Sequence, residues 1–322
     1  MEKQISIVIP TFNSAEVLSN CLESLTNQTV GREKYEIIVV DDGSTDETKD
    51  VAAKYLVKYV YQENRGPAVA RNNGVSQAQG KIILFTDADC EPQPNWIEEM
   101  IMPMKDDQVV GVKGAYKTRQ KELVARLVQI EYEHKYERMK KFKYIDFVDT
   151  YSASYRKEVF LKYEGFDERY PKASVEDQEF SFRLFHDGHK MVFNPEAAVY
   201  HRHSARLMDY LRKKYKIAFW KAFLLKRHPG KVKTDTHTPQ SLKIQMLLSL
   251  GTVLGCAAPL YSTLYYVSGF SLVSFLLTCI PFSLFALKRD VTIALVSPVI
   301  LFLRSLALSL GLGVGMIKHS NK

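Results

Sequence analysis

The segment KIILFTDADCEP, residues 81–92, places two carboxylates one residue apart directly after a short apolar run. Ile82–Phe85 is too short for a helix and rich in strand-forming residues, so it predicts a buried β-strand. Asp87 and Asp89 follow the carboxyl end of that strand, where open α/β sheets bind ligands. Their side chains point the same way in an extended chain and repel each other unless a divalent cation that also binds phosphate lies between them. The alternative is that both aspartates merely cap the next turn.

Three apolar runs upstream have the same character as that strand. They are Ile5–Ile9, Ile37–Val40 and Val57–Tyr61. Helical segments separate them, because capping-box patterns begin at Asn13 and Ser44, and Pro67 suits the first turn of a helix. Four strand–helix units in under a hundred residues predict an α/β fold with a doubly wound, mostly parallel sheet. No Gly-x-Gly-x-x-Gly follows the first strand, so the usual dinucleotide-binding fold is not expected.

The chain up to about residue 205 is predicted to complete this domain. The further predicted strands are Val109–Val112, Val148–Tyr155 and the two arms of a final hairpin, Lys190–Phe193 and Ala198–His201. Residues 122–142 predict a helix that is half charged, with an apolar stripe and an aromatic-rich face. This helix either packs on the sheet or lies on a membrane surface.

The net charge of +8 is unevenly distributed along the chain. Residues 202–243 hold twelve Lys or Arg and two acidic residues, whereas residues 1–201 are net negative. A DNA-binding protein would spread basic residues over its recognition face, so nucleic acid is not a predicted partner. The four cysteines are scattered without zinc-site spacing and are interpreted as reduced and structural. The N-terminus lacks a signal-peptide pattern, so the front domain is expected to face the cytoplasm.

The composition becomes strongly apolar from residue 244 to residue 317, with four charged residues in 74. Ile244–Val267 and Phe270–Leu287 are each long enough to span hydrocarbon, and Ser268-Gly269 between them predicts a tight turn. Basic residues flank both ends of this hairpin, which places those ends in the cytoplasm by the positive-inside rule. We therefore predict a multi-pass protein of the cell membrane with a cytoplasmic front domain.

A third apolar stretch, Val291–Ile317, carries Arg304 near its centre. A charge at the bilayer centre is costly, so this stretch is either a third span or a re-entrant or interfacial segment. A buried soluble core is disfavoured, because soluble helices rarely lack a polar face. The predicted division is an α/β domain over residues 1–205, a basic membrane-proximal helix and linker over 206–243, and two to three spans over 244–317.

Five motifs occur in order along the front domain. They are ISIVIPTFN (residues 5–13), VVDDGSTD (39–46), NRGPAVARN (64–72), Asp87-Ala-Asp89 and Glu176-Asp177. Each motif alone is weak, but the ordered set over residues 4–205 resembles a family 2 glycosyltransferase of the GT-A fold. The hydrophobic tail is similar to that of the membrane-bound branch, which builds polysaccharides or glycolipids.

The resemblance implies an inverting transfer of sugar from a nucleotide-diphosphate sugar, with a UDP-sugar favoured. It assigns the nucleotide to the ends of the first strands and to a basic helix residue. The implied binding residues are Pro10, Thr11, Asp42, Arg71 and Asp87. In this reading Asp42 accepts a hydrogen bond from the base, Arg71 reaches the nucleotide and Asp87 binds a ribose hydroxyl.

The resemblance also implies a divalent cofactor, Mg²⁺ or Mn²⁺, held by Asp89 with Glu91 as a further ligand. Asp177 matches the general base that deprotonates the acceptor hydroxyl, so no protein nucleophile is needed. Some GT-A enzymes place a metal-binding histidine near His201 and His203. For both histidines, and for Glu91, the alternative is a structural or solvent-exposed role.

One departure from the family pattern bears on the acceptor. Processive members carry Gln-x-x-Arg-Trp after the Glu-Asp pair, and the nearest basic helix, Arg212–Trp220, does not match. We therefore expect one sugar, or a few, to be added to a membrane-held acceptor such as a lipid-linked saccharide, a glycolipid or a polysaccharide precursor.

Two other classes of protein remain as alternatives. A sugar-nucleotide nucleotidyltransferase should show a Gly-rich basic phosphate loop after the first strand, which Pro10–Asn13 lacks. A non-catalytic membrane scaffold with a degenerate transferase domain would lose Asp89 or Asp177 first, and both are present.

Overall fold

The structure, a computed structural model, describes residues 4–170, 174–232, 236, 238–257 and 262–318. The chain divides into two compact units. Unit 1 comprises residues 1–119 and 136–202, and unit 2 comprises residues 120–135 and 203–322. Our domain boundary at residue 205 remains a prediction, and residues 120–135, which it assigned to the front domain, group with the C-terminal helices.

Unit 1 is built on one eight-stranded sheet with the order β3-β2-β1-β4-β7-β6-β8-β5. The strands are β1 Ile5–Thr11, β2 Tyr35–Asp42, β3 Lys58–Gln62, β4 Ile82–Thr86, β5 Cys90–Pro92, β6 Val109–Lys117, β7 Ser152–Arg156 and β8 Lys190–His201. Four of the seven strand pairings are parallel, and those of β7 with β4, β7 with β6 and β5 with β8 are antiparallel. The predicted α/β, mostly parallel sheet is therefore confirmed.

Helices connect the strands of this sheet. They are α1 Ala15–Thr26, α2 Thr48–Ala52, α3 Pro67–Ser76, α4 Trp96–Ile101, α5 Leu123–Met139, α6 Lys157–Lys162 and α7 Glu176–His186. Apolar residues at helical spacing form the buried side of α1, where Leu18, Cys21, Leu22 and Leu25 are fully buried. Strand β1 lies between β2 and β4 and has no solvent-exposed apolar residue, because both faces of a parallel sheet are covered.

The predicted hairpin at the end of the front domain is wrong. Residues 190–201 form the single strand β8, and both halves of it pair in parallel with β6. The register shifts between Lys113–Phe193 and Ala115–Ala198, so the residues read as a turn form a bulge instead. Asn194 stabilises this bulge, because its side-chain oxygen accepts the N–H of Glu196 at 3.1 Å.

Unit 2 is helical in its described residues. Besides the first part of α5, its long helices are α8 Leu207–Arg227, α9 Gln240–Val253, α10 Thr263–Leu287 and α11 Val291–Lys318. By length and composition α10 and α11 are candidate membrane spans, each with a mean hydropathy of 2.1. Leu127 and Ile130 of α5 pack into an apolar cluster with Phe275 of α10 and Leu301 of α11.

The structure corrects the first predicted span and its turn. Ile244–Val267 is not one helix, because α9 ends at Val253, and part of the stretch lies outside the described residues. Ser268-Gly269, predicted to be a turn, lies inside α10. The physical reason is close helix packing, since Ser268 donates to the carbonyl of Thr252 on α9 at 2.7 Å. Ser268 approaches the preceding helical segment closely, since a Cβ added at Gly255 would meet its side chain, and the Ser268-Gly269 pair continues the helix without reversing the chain.

Candidate active site

The sheet brings the first group of predicted site residues to one edge. Strands β2, β1 and β4 are parallel neighbours, so the residues at their carboxyl ends lie side by side. Pro10 and Thr11 end β1, Asp42 ends β2, and Asp87 follows β4. The hydroxyl oxygen of Thr11 is buried and has no hydrogen-bond partner among the described residues.

Asp42 organises the turn that leads into α3. Its Oδ1 accepts hydrogen bonds from the Gln62 side chain at 2.7 Å and from the Arg65 N–H at 2.8 Å. Its Oδ2 accepts the N–H of Gly66 at 2.8 Å. Gly66 has φ of +95°, a conformation that strains other residues, and Pro67 then starts the helix. Three of about four acceptor positions of this carboxylate are thus used by the protein.

Arg71 joins two carboxylates that are far apart in sequence. One terminal nitrogen donates to Asp87 Oδ1 at 2.8 Å and the other to Glu176 Oε1 at 3.0 Å. Arg71 and Glu176 each expose 4% of the side chain, whereas Asp87 exposes 31%. The second oxygen of Glu176 accepts the N–H of Ser174 at 2.8 Å, which fixes the carboxylate at the start of α7. Arg71 thus links Asp87, which follows β4, to the Glu176-Asp177 pair at the start of α7.

Asp177 is held by backbone groups on both of its oxygens. Oδ2 accepts the N–H of Thr150 at 3.3 Å, and Oδ1 accepts the N–H of Gln178 at 2.8 Å. Desolvation by the surrounding protein, together with the charge of Glu176, raises the pKa of Asp177 to about 7, while Arg71 opposes that rise. Asp177 as a whole residue is partly exposed. A base with this pKa changes its protonation state near neutral pH.

Asp89 lies next to a histidine. Strand β5 pairs with the end of β8, which sets Cys90 opposite His201. As a result His201 Nε2 is 3.3 Å from Asp89 Oδ2, and the imidazole exposes 8% of its surface whereas the aspartate exposes 43%. His201 also packs against the ring of Tyr116 with centroids 4.5 Å apart. Asp89 and His201 thus place an oxygen atom and a nitrogen atom that could both bind a metal ion at one edge of the sheet.

Glu91 has a protein partner of its own. It pairs with Arg119 at 2.6 Å, and this arginine also stacks on Tyr200 with its guanidinium carbon 3.7 Å from the ring centroid. The ion pair competes with the metal role predicted for Glu91, which stays a prediction. Within the described residues no group of three or more His, Cys, Asp or Glu side chains is arranged to hold a metal.

Asp89 and His201 nevertheless fit a divalent ion that takes its remaining ligands from a substrate. Mg²⁺ and similar ions commonly use one or two protein carboxylates and take their remaining ligands from phosphates and water. Asp89 supplies such a carboxylate, and His201 supplies a nitrogen that suits Mn²⁺. His203 belongs to unit 2, where its ring nitrogen lies 3.0 Å from Gln129 and its ring stacks on Tyr132.

Three contacts of this site have no signal in the sequence. They are the Arg71–Glu176 pair, the Thr150 N–H on Asp177 and the Arg119–Glu91 pair. The first two connect residues 105 and 27 positions apart, beyond the reach of any local periodicity. An acidic pair at a helix start did indicate that Glu176 and Asp177 belong together, but not which basic residue faces them.

The comparison with known families agrees with the geometry. Residues 6–163 match the family model described as glycosyl transferase family 2. Over this segment the chain belongs to glycosyltransferase family 2. The matched stretch of this family 2 domain contains every predicted donor-site residue and both predicted metal carboxylates, whereas Asp177 lies beyond it.

Curated relatives of the family 2 domain are glycosyltransferases by name. AglE of Haloferax volcanii is 40% identical over 116 residues, which cover 34% of this chain and 38% of AglE. The poly(ribitol-phosphate) beta-glucosyltransferase of Bacillus spizizenii is 47% identical over 27% of this chain and 15% of its own length. The probable glycosyltransferase YdaM of Bacillus subtilis is 27% identical over 60% of this chain and 49% of its own length. The matches thus span less than half of each relative.

Solved structures with a similar fold cover more of the chain than the curated relatives do. The mannosyltransferase PcManGT from Pyrobaculum calidifontis, in complex with GDP-Man and Mn²⁺, has a TM-score of 0.65 at 17% identity, covering 100% of this chain and 89% of its own. TarS 1-349 of S. aureus, in complex with UDP, has a TM-score of 0.51 at 21% identity over 69% of this chain and 65% of its own. At these identities the likeness shows the fold alone, which is the GT-A fold.

Proposed function

We propose that this protein is a membrane-associated, inverting glycosyltransferase that moves a sugar from a nucleotide-diphosphate sugar to an acceptor hydroxyl. The observation that carries the proposal is the Arg71 contact, which puts the Glu176-Asp177 pair on the same edge of the sheet as Asp87. The Arg71 contacts thus join the edge proposed to bind the donor to a carboxylate with a pKa of about 7, which supports the proposal. Family membership over residues 6–163 supports the same reading.

The donor nucleotide would lie across the carboxyl ends of β1, β2 and β4. The buried hydroxyl of Thr11 has no partner among the described residues and suits a hydrogen bond to the base or ribose, beside Pro10. Asp42 keeps one acceptor position for a ring N–H of the base. Asp87, which is one-third exposed and already fixed by Arg71, would accept a ribose hydroxyl. A UDP-sugar is the favoured donor, and relatives in fold are named with UDP and with GDP-Man.

Asp89 would hold Mg²⁺ or Mn²⁺, with His201 as its neighbour and Glu91 as a candidate third residue. The bound ion would neutralise the charge of the departing nucleoside diphosphate. Asp89 is the most exposed of the aspartates at this edge, at 43%. A metal ion bound to Asp89 could therefore also bind the diphosphate and water.

Asp177 would take the proton from the acceptor hydroxyl as that oxygen forms a bond to the anomeric carbon. The bond from the anomeric carbon to the diphosphate oxygen breaks on the opposite face, and the nucleoside diphosphate carries away the electron pair. Backbone N–H groups on both Asp177 oxygens hold the carboxylate in one orientation. A base with a pKa near the working pH combines sufficient basicity with the deprotonated form that the reaction needs.

The acceptor would be held at a membrane. Helices α10 and α11 are long and apolar enough to cross a bilayer, and large apolar side chains of both helices are exposed, among them Phe270, Leu277 and Leu295. A lipid-linked saccharide, a glycolipid or a polysaccharide precursor would meet this requirement, with unit 1 on the cytoplasmic side of a multi-pass protein. The basic residues between 202 and 243 favour that side.

Nucleoside diphosphate release tests the proposal directly. The full chain, purified in detergent and returned to lipid vesicles, would be incubated with Mn²⁺ and UDP-, GDP- and dTDP-sugars, with and without a lipid extract as acceptor. We expect one donor to give release that depends on both the metal and the extract. Failure of every donor to bind or to release nucleotide in a folded protein would overturn the proposed function.

A further inference from the structure

The guanidinium of Arg71 is used by the protein itself. Its two terminal nitrogens hold Asp87 and Glu176 at 2.8 and 3.0 Å, and the side chain is almost fully buried. A buried fork between two carboxylates has little freedom to turn toward a diphosphate. If Arg71 served to attract the nucleotide by its charge, its two contacts with Asp87 and Glu176 would have no explanation.

The contacts connect two parts of the site that the proposed reaction uses at the same moment. Asp87 follows β4 on the side proposed for the donor, whereas Glu176 begins α7 immediately before the proposed base Asp177. Arg71 lies in α3, whose first turn is fixed by Asp42. One helix thus carries the cation that fixes the spacing between the donor side and the base.

The same cation balances the charge around Asp177. Glu176 lies next to Asp177 in sequence, and its negative charge disfavours a second ionised carboxylate beside it. Arg71 offsets that effect, and burial together with the charge of Asp177 in turn raises the pKa of the Tyr155 hydroxyl on β7. The Lys113–Asp149 ion pair lies on the neighbouring strand and loop and is internally neutral. Burial of Asp177 is the largest cause of its raised pKa, and Glu176 and Arg71 are the opposed charges that add to that rise and offset it.

We propose that Arg71 is a positioning residue that couples the donor-side carboxylate Asp87 to the base Asp177, acting through Glu176 and touching neither the transferred sugar nor the acceptor. The catalytic role of this coupling rests on the proposed function. Its physical core, the coupling of Arg71 and Glu176 to the ionisation of Asp177, does not depend on turnover.

The pH profile of kcat/KM separates coupling from a merely structural role. Since the base works when deprotonated, a higher pKa of Asp177 moves the acid limb of the profile to higher pH. Arg71→Met removes the offsetting cation, so we expect the limb to move up by about one pH unit. Glu176→Gln removes the opposing anion and should move the limb down. The double variant should lie between the two, near wild type, because both charges are then gone.

Arg71→Lys tests the fork itself. The variant keeps the positive charge, but an ammonium cannot hold two carboxylates in the fixed geometry of a guanidinium. The acid limb should therefore stay near its wild-type position, while kcat falls about tenfold to a hundredfold from imperfect placement. Lys54→Met, which removes a charge from the exposed surface of the same unit, should change neither quantity.

Thermal unfolding measures the pKa of Asp177 in the folded protein without requiring catalytic activity. The difference in stability between each protein and its Asp177→Asn counterpart changes with pH while Asp177 titrates, and the upper end of that pH window marks the folded-state pKa. Arg71→Met should move this end up and Glu176→Gln should move it down. If transfer is absent but these shifts occur, the proposed function fails and the coupling stands. If wild type transfers sugar and neither variant moves the limb or the window, the coupling is overturned.

Discussion

Glu131 and Arg304 form a buried ion pair in unit 2, with Arg304 Nη1 donating to Glu131 Oε1 at 2.5 Å across 173 residues of sequence. The same carboxylate accepts Tyr210 Oη at 2.9 Å and Lys214 Nζ at 3.2 Å. The second terminal nitrogen of Arg304 donates to Gln245 at 2.7 Å. Arg304, the charged residue near the centre of the third apolar stretch, therefore faces protein partners.

Glu131→Gln should strongly destabilise unit 2. The change leaves the largely buried cations of Arg304 and Lys214 without their shared anion, and breaking one side of such a pair costs up to about 3–5 kcal/mol. Thermal unfolding of the full chain in detergent measures the loss. Glu133→Gln is the matched control, since Glu133 pairs with Arg289 where both side chains are about one-third exposed, at 36% and 35%. Its loss should stay below about 1 kcal/mol. Equal effects of the two changes would contradict a special role for Glu131.

Gly311→Ala and Gly315→Ala should loosen the packing of α8 on α11. An added Cβ at Gly311 would overlap the backbone oxygen of Tyr215, and one at Gly315 that of Phe219. Backbone atoms cannot move aside as a flexible side chain does, so each change should lower the unfolding temperature. At Gly313, by contrast, no atom of the described residues lies within 4 Å of the added atom. Gly313→Ala should be neutral or stabilising by up to about 1 kcal/mol, because Ala is the better helix former. If all three variants behave alike, close packing of these helices is not present.

The sequence predicts the strands well because their signal is local. Ile5–Ile9 and Ile82–Phe85 are apolar runs bounded by polar or breaking residues, and they lie in β1 and β4 of the structure. The predicted positions of Asp42 and Asp87 at strand ends follow from the same pattern. What a site residue touches is a different matter, since Glu176, one of the two partners of Arg71, lies 105 residues away and no periodicity marks it.

The errors arise where one local pattern fits two structures. Asn194-Pro195 is typical of a turn, but the segments on both sides find hydrogen-bond partners on β6, and a bulge accommodates the residues between them. Ser268-Gly269 is also typical of a turn. In an apolar helix, however, small residues permit close helix contacts, and the seryl hydroxyl reaches Thr252 of α9.

The stability of the protein should depend on pH through Asp177. A pKa of about 7 lies above the unfolded value of about 4, so the folded state binds the proton more tightly. Stability that depends on this proton is fully present below the unfolded pKa and is lost as pH rises toward the folded pKa. Asp177→Asn removes the ionisation and should raise the unfolding temperature relative to wild type at pH 8. The advantage should shrink at pH 5, and a constant difference across this range would contradict the raised pKa.

Two substitutions separate the roles proposed for the metal and base carboxylates. Asp89→Ala removes the carboxylate beside His201 at the donor edge, so it should weaken both Mn²⁺ and donor binding and should stop transfer. Asp177→Asn keeps the shape of the side chain but removes its basicity. Donor binding with Mn²⁺ should then remain near wild type, while turnover falls by about 10²- to 10⁴-fold, the usual share of general-base catalysis.

Calorimetry with Mn²⁺ and the donor measures the first quantity, and product formation from a lipid acceptor measures the second. The comparison is sharp because both aspartates lie in unit 1, yet they contact different groups: His201 faces Asp89, whereas backbone N–H groups hold Asp177. Loss of donor binding in folded Asp177→Asn would move Asp177 to the donor site. Unchanged turnover would exclude it as the base, and Glu176 or Glu179 on the same helix would become the residue to test.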